Sequence, residues 1–61
     1  MTFENDNEAF DYLIINGCTH NSGIIYPPQD GYEAFNANKK NWEAVNYLVQ
    51  EWDYGFERYL P

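Results

Sequence analysis

This 61-residue chain holds little of what usually staples, breaks or positively charges a small fold: one cysteine, three prolines, four glycines and three cations. The lone Cys18 leaves no partner for an intrachain disulfide, so a disulfide scaffold is excluded. No apolar run approaches the ~20 residues that a membrane-spanning helix needs. Acids and Asn crowd the first ten residues, where a secretory leader would carry basic and then apolar residues, so the expected compartment is cytoplasmic. Lys39, Lys40 and Arg58 face ten Asp and Glu, giving a formal charge of −7. That charge repels phosphates and anionic lipid, so direct nucleic-acid binding and membrane attachment are not expected. It suits plain solubility or attraction to a basic partner.

What the chain does hold is aromatic mass, with six Tyr, four Phe and two Trp. A chain of this length buries only about 60% of the surface its unfolded form exposes. In one small domain spanning 1–61 with no disulfide, large rings, each able to cover about 150–250 Å², must supply the core. Homodimerisation is the other remedy open to it.

A seven-residue segment recurs. Glu8-Ala9-Phe10-Asp11-Tyr12-Leu13-Ile14 returns, conservatively changed, as Glu43-Ala44-Val45-Asn46-Tyr47-Leu48-Val49, with a shorter echo at Glu33-Ala34-Phe35-Asn36. In both long copies the apolar positions fall at helical spacing and the tyrosine points to the opposite face. Two readings fit: a pseudo-twofold pair of helices packed by their matched faces, or one good amphipathic helix written twice. Either predicts matched burial, with Phe10, Leu13 and Ile14 equivalent to Val45, Leu48 and Val49.

Local signals set the expected boundaries. Asn5 with Glu8 has the spacing of a capping box, and Gly17 offers a left-handed stop, so a helix is expected from about Asp6 to Asn16. Cys18 to Ser22 reads as a polar turn. Gly23-Ile24-Ile25-Tyr26, β-branched and followed by Pro27-Pro28, reads as a short extended segment without an evident partner strand. Asp30 and Glu33 repeat the capping-box spacing and favour a short helix over about Gly31 to Ala37. The clearest expectation is a long helix from near Asn41 to Leu60, capped by Asn38 or Asn41. Its apolar stripe would be Trp42, Val45, Val49, Trp52, Phe56 and Tyr59, with Trp52 at the core centre and Gly55 inside at a cost of roughly 1 kcal/mol.

The expected fold class is therefore mainly α: two principal amphipathic helices, a short central helix and a short extended segment. The alternative is α+β, with a central hairpin at about 23–35 flanked by two helices. A coiled-coil dimer is disfavoured because the stripe is aromatic and the helix short.

Catalytic and metal signatures are thin. Cys18 and His20 lie two apart in a polar loop with no third orienting group, and they supply two of the four ligands a structural zinc site takes. Asp53 and Glu57, a helical turn apart, read as solvated surface. Phosphate-binding loops and triad patterns are missing, so neither an enzyme nor a cofactor is expected. The remaining feature is the outer face, where Glu8 and Tyr12 on the first helix and Glu43, Tyr47, Glu51 and Tyr54 on the last form an acidic-aromatic strip. Tyrosine suits a binding hot spot because it presents a large rigid area with a hydrogen-bonding tip. The expected function is a small acidic interaction module or inhibitor that binds a basic protein through those six residues. Two alternatives are a nucleic-acid mimic that occupies a DNA- or RNA-binding groove and a structural homodimer. In length, acidity, its eight Asn and its many Tyr, the chain resembles the small accessory proteins of tailed bacteriophages and other mobile elements. That resemblance implies a viral protein working in the host cytoplasm and assigns no site.

Overall fold

A computed structural model describes residues 3–59. The elements run α1 (Asp6–Ile15), β1 (Thr19–Asn21), β2 (Ile24–Tyr26), α2 (Tyr32–Ala37), α3 (Lys39–Trp52) and β3 (Gly55–Phe56). The result is a small compact domain of three helices and a three-stranded sheet, helix-rich as expected but with more strand than one extended segment, consistent with the α+β alternative.

The first helix follows its sequence signals. Asn5 is the N-cap, its Oδ1 accepting from Glu8 N at 2.9 Å, and Asp6 and Glu8 place negative charge at the positive end of the helix dipole. Gly17, at φ +98°, ends the helix, and a Cβ there would also sit 3.2 Å from Pro28 Cβ. Only glycine satisfies both the backbone and the close approach.

The next segment departs from expectation. Residues 19–21, read as turn, form β1, pairing antiparallel with β2 in the register Thr19↔Tyr26, His20↔Ile25, Asn21↔Ile24. Ser22 and Gly23 make a two-residue loop with φ of 53° and 79°. Positive φ at both central residues is the geometry that matches the twist of a tight hairpin. β1 escaped the pattern reading because all three of its side chains are exposed, so it shows no alternation. The hairpin is thus 19–26, not 23–35, and the residues proposed as its return strand are helical.

α2 forms as expected but not by the expected cap. Gly31, in the left-handed region, is the N-cap and makes no side-chain capping bond, so the Asp30 signal is not used. Asn38 caps α3, its Oδ1 accepting from Lys40 N at 2.9 Å.

α3 ends eight residues before Leu60, where Asp53 takes φ +62°. Gly55, expected inside the helix, lies in β3 parallel to β2, in register with Ile24. Gly55 N donates to Gly23 O at 2.9 Å and Glu57 N donates to Ile25 O at 3.1 Å. A Cβ at residue 55 would meet Ile24 Cγ1 at 3.3 Å, so glycine here permits close strand approach. Asp53 and Glu57 consequently do not share a helix face, and Leu60 lies outside the described residues.

The core sits between α1, α3 and the sheet, from Phe3, Ala9, Leu13, Cys18, Ile25, Phe35, Ala44, Val45 and Leu48. Tyr12 on α1 meets Asn38 at the start of α3, and Phe10 meets Tyr54 beyond its far end. The repeat is reproduced in burial: Ala9 with Ala44 and Leu13 with Leu48 are fully buried, and Ile14 and Val49 are 38% and 37% exposed. Phe10 and Val45 break the match, because Val45 is buried while Phe10 sits at the margin, edge-on to His20 at 4.7 Å.

Two corrections concern the stripe. The buried face of α3 is Asn41, Ala44, Val45 and Leu48, and Trp52, expected at the core centre, is 44% exposed. Asn41 Nδ2 donates to Phe35 O at 3.1 Å, tying α3 to α2, while its Oδ1 finds no partner among the described residues.

Candidate protein-binding surface

The six residues of the acidic-aromatic strip separate by chemistry. Glu8, Glu43 and Glu51 are exposed, whereas Tyr12, Tyr47 and Tyr54 are half-buried. The tyrosines therefore do not point away from the core as the helical pattern suggested. Phe3 accounts for two of them: its buried ring lies between Tyr12 at 5.9 Å and Tyr47 at 6.2 Å, one from each copy of the repeat. A segment outside both helices thus turns their outer faces into a second, smaller aromatic layer.

Tyr12 is held further. Its Oη accepts from Asn38 Nδ2 at 3.1 Å, and Lys40 Nζ stands 4.8 Å from its ring centroid and 5.6 Å from that of Phe3. Tyr54 belongs elsewhere. It lies beyond the end of α3, its N donating to Leu48 O at 3.1 Å and its ring 6.0 Å from Phe10. The expected seven-residue step from Tyr47 to Tyr54 along one helix is therefore not formed. What remains on α3 is Glu43, Tyr47 and Glu51, each four residues from the next and so neighbours along one ridge.

Two of the three cations, Lys40 and Arg58, lie against rings. Arg58 lies with its guanidinium carbon 3.9 Å from the Tyr32 centroid and 5.1 Å from that of Tyr59. Gln29, whose Nε2 donates to Arg58 O at 3.1 Å, borders a shallow depression of about 360 Å³ with Gly31, Tyr32, Glu33 and Arg58. The excess of ten acids over three cations makes the surface carboxylates the dominant field.

Cys18 and His20 are set apart by burial. The Cys18 thiol is buried, which disfavours its charged form and pushes its pKa to about 11. A thiol held protonated at neutral pH is a poor nucleophile and a poor metal ligand. His20 is exposed on β1 with its ring against Phe10. Among the described residues no group of three or more His, Cys, Asp or Glu is placed to hold a metal ion. No helix there is long and apolar enough to cross a membrane.

The carboxyl end of α3 also differs from the helical expectation. Trp52 and Val49, assigned to the core stripe, are partly open to solvent. No local signal separates them from Val45 and Leu48, since all four fit the same period.

Comparison with known proteins places the chain in a viral setting. A family model described as Phage Pam3 gp59 related protein matches residues 2–59. No curated protein and no solved structure matches the chain.

Proposed function

The chain belongs to the Phage Pam3 gp59 related family, and on that premise we propose that it is a small phage accessory protein that acts by binding a basic protein in the host cytoplasm. The observation that carries this reading is the division of labour on the α1 and α3 surface. Glu8, Glu43 and Glu51 present carboxylates to solvent, beside the partly exposed rings of Tyr12 and Tyr47, which packing on Phe3 holds in place. Fixed rings bind at low entropic cost, and a field of one sign accelerates encounter with a basic surface. Tyr54 contributes from the end of α3.

The test uses the proteins of the same phage and their host targets, purified and presented one at a time. Association should slow as salt rises past about 0.15 M, where screening acts within about 8 Å. Glu43→Gln with Glu51→Gln should lower the association rate. Tyr47→Phe with Tyr54→Phe, which keeps the packed rings and removes the hydroxyl tips, should chiefly speed dissociation. Loss confined to the carboxylate variant, on a partner that also binds DNA or RNA, favours nucleic-acid mimicry. Unchanged rates in both folded variants refute a binding role for these residues.

A further inference from the structure

We infer that Trp52 anchors a contact at the carboxyl end of α3, seated in an apolar pocket with a basic rim on the partner protein. The inference rests on the binding role proposed above and adds the residue and the partner chemistry.

Trp52 is the last residue of α3 and is 44% exposed. It makes no ring contact among the described residues, although Trp42, on the same helix, packs edge-on against Phe35 at 5.6 Å and Phe56 at 5.3 Å. Val49, one turn earlier on the same face, is 37% exposed, so the two form a continuous apolar step. Asp53, in the left-handed conformation, stops the helix immediately afterwards. A large, partly uncovered Trp at an element end has the make-up of a binding hot spot.

Charge selects the occupant. The carbonyl end of a helix carries a partial negative charge, and helices commonly offset it with Lys or Arg in the last turn. α3 has no basic residue there. Exposed Glu51 and Asp53 flank Trp52 instead, adding to the dipole where it is already negative. A second copy would bring another −7 chain against that end. A surface of Lys or Arg around an apolar pocket would instead neutralise it and cover the indole, with a cation over its free face.

The probe is a synthetic amphipathic helical peptide of Leu and Lys, titrated by calorimetry at 0.15 M salt against the whole chain. A Gln/Lys peptide of equal charge and a Leu/Glu peptide serve as comparisons. The Leu/Lys peptide should bind at least tenfold more tightly than either. Trp52→Ala should weaken it at least tenfold and Trp52→Phe less, with circular dichroism unchanged in both variants. Ile15→Ala, which removes the most exposed of the large apolar side chains, should change it less than twofold. Equal weakening by Ile15→Ala, or equal binding of the Gln/Lys peptide, overturns the inference, because binding would then be non-specific. A wild-type dimer that dissociates on Trp52→Ala overturns it in favour of a second copy. If a partner found through the glutamate and tyrosine variants binds Trp52→Ala as it binds the wild type, the anchor assignment fails while the binding role stands.

Discussion

Replacing Leu48 by Ala tests the central packing of the domain. Leu48 is fully buried on α3, as is its repeat counterpart Leu13 on α1. The substitution removes three carbons, a transfer loss of about 2.4 kcal/mol at about 0.8 kcal/mol per buried group. If the surroundings do not close in, a cavity of about 70 Å³ adds about 1.7 kcal/mol at about 24 cal/mol per Å³. The expected cost is therefore about 4 kcal/mol, and Leu13→Ala should cost the same within about 1 kcal/mol. A domain of this size is stable by only about 3–9 kcal/mol. Either variant should thus lose most of its resistance to denaturant and, at the low end, be substantially unfolded in water.

Ile14→Ala and Val49→Ala supply the internal comparison. Each follows its leucine by one residue, but at 38% and 37% exposure should cost only about 1 kcal/mol. Urea unfolding followed by far-UV circular dichroism measures all four, read as midpoint shifts at constant slope. A cost below about 1.5 kcal/mol for Leu48→Ala, or a larger cost for Ile14→Ala than for Leu13→Ala, refutes the packing described for α1 on α3.

Trp52→Ala should lower stability by about 1 kcal/mol, not the 3–5 kcal/mol of a core tryptophan, and a thermal melt separates the two. Cys18 should resist thiol reagents in the folded protein and react fully in denaturant. Because burial raises its pKa from 9.0 to about 11, the unfolded chain releases the proton first, and the Cys18 contribution to stability should be constant below pH 9 and fall between pH 9 and 11. Replacing Cys18 by Ala should remove that part of the slope. Asn38→Ala removes the α3 cap and the bond to Tyr12 and should cost about 1–2 kcal/mol by urea unfolding. Gly17→Ala should cost at least about 1–2 kcal/mol by the same assay, since it places a Cβ at positive φ against Pro28.

Features set by contacts within a few residues were legible in the amino-acid order. Asn5 and Asn38 are caps because their side chains reach backbone N–H groups two or three residues ahead, and Gly17 is a stop because its backbone tolerates positive φ. The repeat, likewise, transmitted its burial pattern through helical geometry, so that Leu13 and Leu48 share one environment and Ile14 and Val49 another. Of the candidate surface, the exposed carboxylates were legible for the same reason.

The remaining features depend on contacts between distant segments. β1 has no alternation and exists because β2 needs a hydrogen-bonding partner; β3 exists because Gly55 lets a second strand approach Ile24. Such pairings are made across the fold and leave no periodic trace in the strand that supplies them. The tyrosines were misjudged because Phe3, outside either helix, folds over the face that helical periodicity assigns to water. Trp52 was misjudged for the converse reason. Periodicity states which way a side chain points from its helix, but only the neighbouring elements determine whether anything is there to cover it.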